Sequence, residues 1–125
     1  MASDHIDDVL VTLSDPRRRH VLYYLQQHGS ASIEELADVL TGWLTVADDI
    51  VVTPKRRQDV RLGLYHSHLP ALADVDLVSY DQSSGDVSLE SLPDYVDALL
   101  GETLTVERRE SPRAATVSDG PSREE

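Results

Sequence analysis

Several residue types are missing or scarce in this 125-residue chain, and each absence excludes a class of protein. Cysteine is absent, which excludes a disulfide scaffold, a cysteine-ligated zinc site and a cysteine nucleophile. No apolar run approaches the ~18 residues that a membrane span requires. The N-terminal stretch MASDHIDD is acidic, unlike a signal peptide. We therefore expect no membrane partner.

Positive charge is also scarce. The chain has 11 basic and 23 acidic residues, for a formal net charge of −12; 15 of the acids are Asp and 10 of the bases are Arg. Excess surface carboxylate keeps chains apart, and strong salt screens its self-repulsion. The composition therefore favours a protein of a salt-rich cell over an ordinary acidic cytosolic protein. The same charge opposes binding to a bulk polyanion in dilute buffer.

Apolar residues at helical spacing predict two helices near the start of the chain. The first covers roughly residues 4 to 13. The second begins at Pro16, because proline fits the first turn of a helix, and it ends at His28 before Gly29. In the basic run at the start of this second helix, at least one arginine is expected to brace the fold.

Two more helices follow. The third begins at a capping box formed by Ser32 and Glu35, and its apolar stripe can continue past Gly42. The fourth begins at Pro54. Pro70 removes one backbone hydrogen bond, so we expect it to kink this helix or to restart it.

The apolar period then changes to two. Residues 77–81 and 86–90 alternate apolar and polar side chains, and Gly85 can supply a positive φ between them, which predicts a β-hairpin. A last helix ends at Gly101. The segment after it is poor in apolar residues and rich in Ser, Pro, Arg and Glu, which is typical of a disordered tail.

This order of elements is that of a winged helix-turn-helix, in which packed helices precede a two-stranded hairpin. The predicted fold class is therefore mainly α with a small β-hairpin. The predicted units are an N-terminal helix (1–14), the winged helix-turn-helix (15–90), a C-terminal helix (91–101) and a disordered tail (102–125). In such a fold the recognition helix enters the major groove of DNA, and the preceding helix braces it.

Three stretches carry a resemblance to known proteins: DPRRRHVLYYL, SIEELADVL and LYHSHLPALADVDLVSYD. They resemble the first helix, the second helix and the recognition-helix-to-wing passage of arsenic-repressor-like (ArsR-like) regulators. The HxHLPxL block followed by LVxYD is more specifically similar to a winged-helix domain family of halophilic archaea with no assigned function. The resemblance covers about residues 6 to 92. It implies a small cytoplasmic DNA-binding regulator, usually dimeric.

Positive charge is concentrated where the recognition helix is predicted to begin. Residues 53–68 carry four basic residues against Asp59, a local charge of +3. Arginine can pair with guanine edges or with phosphate. The predicted contacts to double-stranded DNA are Lys55, Arg56, Arg57, Gln58, Arg61 and His66. The alternative is a solvated helix start or arginines that pair with the chain's own acids, and in that case the DNA interpretation loses support.

Two features oppose DNA binding. About a dozen residues, 42–53, separate the core of the third helix from the fourth, whereas a strict helix-turn-helix uses 3–4. Asp81 and Asp86 flank the hairpin turn, and the hairpin has no lysine or arginine, so phosphate would repel it. These features favour an alternative function, a winged-helix module that binds another protein and not DNA.

The terminal helices carry apolar stripes that a small monomer does not easily cover, which predicts a homodimer. The predicted interface residues are Ile6, Val9, Leu10, Leu13, Val96, Leu99 and Leu100. The alternative is that both stripes pack on the chain's own core.

No motif indicates catalysis. His66 and His68 are two residues apart on a helix and point away from each other, so we expect no metal site. Acidic pairs such as Asp7 and Asp8 are adjacent and do not converge. Neither a phosphate-binding glycine loop nor a nucleophile elbow is present. We expect no enzyme activity and no cofactor, and the sequence has no recognisable effector site.

Overall fold

The computed structural model describes residues 2–48 and 51–110. Its helices are α1 (Ala2–Leu13), α2 (Pro16–His28), α3 (Ile33–Asp48), α4 (Pro54–Gly63), α5 (Leu69–Asp74) and α6 (Asp94–Glu110), and a π-helical turn (Leu64–His68) joins α4 to α5. Its strands are β1 (Ser30–Ser32), β2 (Val78–Asp81) and β3 (Asp86–Leu89). The fold is mainly helical with a small antiparallel sheet and is winged-helix-like, which confirms the predicted fold class. Among these helices, none has the length and apolar character needed to cross a membrane.

Side-chain caps define where α2 and α4 begin. Asp15 and Thr53 each accept a hydrogen bond from a backbone amide of the following first turn, at 2.9 and 3.1 Å. A proline follows each cap, at a position where no amide partner is needed. At the other end of α2, Gly29 adopts a φ of +83° and closes the helix, as predicted.

Helix α3 extends beyond the segment with the clearest apolar spacing, which ends before Gly42. It continues through Gly42 to Asp48, as its apolar stripe allows. Residues 49–53 are therefore all that separates α3 from α4. Of the two explanations open for residues 42–53, a longer helix or an elaborated loop, the longer helix is correct. The helix-turn-helix is closer to the strict form than the sequence indicates. At the start of α3, Ser32 Oγ accepts the amide of Glu35 at 3.0 Å, which is one half of the predicted capping box.

The recognition-helix region is interrupted ahead of Pro70. The amide of Leu69 donates to the carbonyl of Leu64, five residues earlier, which is the spacing of a π-helical turn. Helix α5 then begins with Pro70 in its first turn. Proline has no amide to donate and its ring needs room, and the wider turn ahead of it supplies that room. The helix is therefore disturbed at the predicted place, by a π-helical turn and not by a newly capped helix start.

The sheet has the order β1–β3–β2. Tyr80 lies opposite Val87 and Val78 opposite Leu89, which confirms the predicted hairpin. Strand β1 adds a third member, with Ala31 opposite Val87. The sequence did not predict β1, because three residues are too few to show a period of two. Since β1 lies between α2 and α3, the sheet ties the helix-turn-helix to the hairpin.

The core corrects the predicted dimer interface. Four of its seven residues are buried inside the chain: Val9, Leu13, Val96 and Leu100. They are buried because α1 and α6 both pack against α2. Of the other three, Ile6 and Leu10 are 41% and 46% exposed, and Leu99 is partly buried against the core. The alternative, that the stripes pack on the chain's own core, therefore holds for most of these positions.

The predicted end of the C-terminal helix is wrong. Helix α6 continues nine residues past Gly101 to Glu110, into the stretch expected to be a disordered tail. The reason is tertiary: Arg19 donates to both oxygens of Glu107, at 3.0 and 3.3 Å, and the Tyr23 hydroxyl hydrogen-bonds the same carboxylate. Arg19 is thus one arginine of the basic run that braces the fold. The rest of the predicted tail, 111–125, lies outside the described residues.

Candidate nucleic-acid interface

Helix α4 and the π-helical turn present one exposed face, spaced at three and four residues. Its members are Lys55, Gln58, Leu62 and His66. Val60 and Leu64 are buried and fasten α4 to the core. Asp59 lies on the same side of α4, one turn after Lys55 and 3.3 Å from its ammonium group, so the two charges offset each other. Leu62 leaves 40% of its surface open to solvent. We call Lys55, Gln58, Leu62 and His66 the recognition face.

Arg57 turns away from the recognition face towards α3. Its Nε donates to Asp38 Oδ1 at 2.6 Å, and its Nη2 donates to the carboxylate and to the carbonyl of Glu34, both at 3.1 Å. Hydrogen bonds to Asp38 and then to Glu34 raise the pKa of Arg57. The side chain retains 32% exposure, so the guanidinium sits at the surface with its Nε and Nη2 already paired.

Arg61, one turn later on α4, also pairs with an acid of α3. Its Nε donates to the second oxygen of Glu34 at 2.5 Å. Glu34 therefore bridges two arginines, and hydrogen bonds from Arg61 and Arg57 lower the pKa of its carboxyl group. The alternative stated for these arginines, pairing with the chain's own acids, describes both of them. Their predicted contact with DNA stays a prediction, and part of each guanidinium is already paired within the chain.

The pairing weakens the positive patch that the sequence indicates. Two acids of α3, Glu34 and Asp38, pair with the arginines of α4. Their charge of −2 offsets most of the +3 of α4. Lys55, with a side chain 84% exposed, lies 3.3 Å from Asp59. Among the described residues, no partner hydrogen-bonds the side chain of Arg56.

His68, unlike His66, does not lie on the recognition face. Arg18 on α2 donates from Nε to His68 Nδ1 at 3.2 Å and from Nη2 to Ser67 Oγ at 3.4 Å. Burial lowers the pKa of His68, and a neutral imidazole is the form that accepts such a bond. Arg18 thus ties the π-helical turn to α2. In the described part of the chain, no group of three or more His, Asp or Glu side chains is placed to hold a metal ion.

The hairpin is acidic at its tip. Asp81 and Asp86 are directly opposite each other across β2 and β3, where like charges repel. Asp81 also builds the turn, because its Oδ1 accepts from Ser83 Oγ at 2.7 Å and from the amide of Ser83 at 3.0 Å. These hydrogen bonds from Ser83 hold the pKa of Asp81 low. The carboxylate therefore stays ionised at the place where a DNA-reading wing would contact phosphate.

A groove of about 510 Å³ lies between α5 and β2. It is lined by Pro70, Ala73, Asp74, Tyr80, Asp81 and Gln82. Within the described residues, the Tyr80 hydroxyl is shielded from solvent and has no hydrogen-bond partner. The charged lining residues are both carboxylates, so this groove offers an anionic surface.

Comparison with known proteins gives one match. The model of a family described as Domain of unknown function (DUF7344) matches residues 10–88, which extend from α1 into β3. The matched stretch includes the helix-turn-helix and the hairpin. No curated protein and no solved structure matches the chain.

Proposed function

The chain belongs to the DUF7344 family, and we propose that it is a DNA-binding transcription regulator that reads double-stranded DNA with its recognition face. One observation carries the proposal. The helix that follows the helix-turn-helix turn exposes Gln58, Leu62 and His66 side by side, while its buried residues fasten it to the core. An α-helix fits the major groove of B-DNA, and this is the helix that the fold offers.

The exposed side chains have the chemistry of base readout. The amide of Gln58 can donate to and accept from adenine in a bidentate pair, and the imidazole of His66 has a donor and an acceptor. Leu62 supplies an apolar contact for a thymine methyl group. Lys55, at the start of α4, is placed to bind a phosphate of the DNA backbone.

A recognition face on which Lys55 is offset by Asp59 is consistent with DNA binding at high salt concentration. Each phosphate contact makes the affinity fall with rising salt, at a slope of about −0.9 in log–log terms for B-DNA. In a salt-rich cytoplasm this contribution is largely lost, whereas base-edge and apolar contacts remain. The acidic, Arg-rich composition supports such a setting for the protein. We place it among the winged-helix regulators similar to the ArsR-like class, in halophilic archaea.

We also propose a homodimer, with an interface smaller than the apolar stripes suggest. The exposed apolar residues of α1 support it: Ile6, Leu10 and Val11, the last 68% exposed. A two-fold dimer would present two copies of α4 to half-sites about one helical turn apart on DNA.

A second candidate function is a winged-helix module that binds a basic protein segment. The paired arginines, the opposed carboxylates of Asp81 and Asp86, and the anionic groove beside Tyr80 favour it. It differs from the DNA proposal in its partner's charge. DNA would have to approach past these carboxylates, whereas a lysine- or arginine-rich segment would be attracted by them.

Selection of binding sites from a random double-stranded DNA library, in buffers of molar KCl, tests the first function. The DNA proposal expects an enriched sequence motif, arranged as two half-sites if the protein is a dimer. Recovery of no motif at any salt concentration contradicts it and favours the protein-binding module.

A further inference from the structure

We infer that Glu34 and Asp38 are intramolecular competitors for DNA phosphate, which hold Arg57 and Arg61 and thereby suppress sequence-independent binding. This inference rests on the proposed DNA-binding function and concerns its selectivity. It assigns a role to two acidic residues of the bracing helix α3 that do not belong to the recognition face.

In these ion pairs, carboxylates occupy the positions on the two arginines that a DNA phosphate would take. Arg57 divides its donors between Asp38, at 2.6 Å, and Glu34, at 3.1 Å, while Arg61 takes the other oxygen of Glu34 at 2.5 Å. Carboxylate and phosphate oxygens suit the same planar fork of guanidinium donors. A phosphate that reaches this edge of α4 therefore finds donors of the right kind, of which the Nε of both arginines and the Nη2 of Arg57 are already occupied.

The ion pairs of Glu34 and Asp38 lie where the arginines can exchange a carboxylate for a phosphate, and they contribute little to the stability of the fold. Glu34 and Asp38 keep 53% and 68% of their side-chain surface exposed. Exposed ion pairs contribute little to stability. The contact between α3 and α4 depends instead on buried side chains such as Leu40 and Val60. Removing the two negative charges should therefore change what the arginines bind and leave the fold in place.

Selectivity follows from this arrangement. On random DNA the gain from two phosphate contacts is offset by the loss of the carboxylate contacts, so sequence-independent affinity stays low. At a matched site the contacts of Gln58 and His66 bring the backbone within reach, and the arginines can exchange partners. Specificity is the ratio of the two affinities, so suppressing the non-specific one raises it.

The test uses a random-sequence duplex, because its outcome does not require that an operator exists. Affinity is measured against KCl concentration for the wild-type chain, for E34Q/D38N and for the control D7N/D8N. The control carries the same charge change on α1. E34Q alone is added because it frees Arg61 while Asp38 still holds Arg57. The salt series begins at the lowest concentration at which circular dichroism shows all four proteins folded.

We expect E34Q/D38N to bind the random duplex more tightly than wild type at the lowest salt. Its log–log salt slope should steepen by about 1.8, at about 0.9 per phosphate contact, and that of E34Q by about half as much. An unchanged slope in E34Q/D38N, or an equal gain in D7N/D8N, overturns the inference. Failure of the wild-type chain to select a motif from the library overturns the proposed function alone, since this comparison does not depend on a motif.

Discussion

Two half-buried histidines show how single residues couple this fold to pH. His68 accepts a hydrogen bond from Arg18 and lies 3.9 Å from Asp15. His20 stacks on Trp43, with ring centroids 3.8 Å apart, and its Nδ1 lies 2.9 Å from the carbonyl of Pro16. Burial is the main cause that lowers the pKa of each histidine below its ordinary value of 6.5.

The lowered pKa values predict a loss of stability in mild acid. In this pH range the unfolded chain binds more protons than the folded chain, so the free energy of unfolding rises with pH. The contribution is complete above about pH 6.5 and decreases as the pH falls below that value. Denaturant unfolding between pH 7.5 and 5.5, followed by Trp43 fluorescence and circular dichroism, should show this decrease.

Removal of both side chains is the matched test. H20Q/H68Q should make the free energy of unfolding less dependent on pH over this range, whereas Q82A, which removes no titratable group, should keep the wild-type dependence. A wild-type slope in H20Q/H68Q would contradict the assignment to these residues.

Single residues were predictable from the sequence where their roles are local. The capping of α2 by Asp15 and the closing of the helix by Gly29 depend on neighbours a few residues away. The partners of Arg57 were not predictable from the sequence, because Asp38 and Glu34 lie 19 and 23 residues earlier in the chain. A local charge count on α4 therefore indicated a more basic surface than the folded chain presents.

At the scale of elements, two glycines on neighbouring helices should respond oppositely to alanine. Gly29 ends α2 with a φ of +83°, whereas Gly42 lies within α3. A Cβ added at either position would have no other atom within 4 Å beyond its local backbone. The expected effects therefore come from backbone conformation alone.

Alanine at Gly29 should lower the free energy of unfolding by about 1–2 kcal/mol, because an L-residue is strained at positive φ. Alanine at Gly42 should raise it by about 0.5–1 kcal/mol, since glycine is the poorer helix former. Chemical denaturation of G29A, G42A and the wild-type chain measures both changes. Changes of the same sign would show that something other than backbone conformation decides them.

Elements were predictable in proportion to their length and regularity. The stripe of α3 and the alternation of β2 and β3 predicted those elements. Strand β1 has three residues and exists through its pairing with β3. The last turns of α6 follow a polar sequence that composition alone assigns to a tail, and they are ordered by Glu107 against α2. Both of these features depend on contacts between distant parts of the chain.

At the scale of the whole molecule, exposed apolar residues of α1 predict self-association. Light scattering in strong salt should give a molar mass that rises with concentration from 13.9 kDa towards twice that value. Replacing Ile6 and Leu10 by serine should keep the chain at the lower mass, because both side chains are exposed in the single chain. L62S, which alters an equally exposed leucine on α4, is the control. A wild-type monomer at every concentration would contradict the dimer.

The net charge of −12 described the whole molecule but not its interface. Where helices α3 and α4 meet, two carboxylates offset most of the positive charge of α4, while the hairpin tip keeps its acids. Composition indicated a salt-adapted surface, and the element order indicated the helix that faces outward. The absence of Arg57 and Arg61 from the recognition face needed the fold, because it depends on which side of α4 packs against α3.

Binding-site selection with recognition-face variants tests the central claim most directly. The wild-type chain, Q58A/H66A and a Q82A control on the hairpin turn are each presented with the same random duplex library in molar KCl. The account predicts one enriched motif for wild type and Q82A, and loss of base preference within that motif for Q58A/H66A. The same motif, recovered with equal enrichment from Q58A/H66A, would show that the recognition face does not read the DNA.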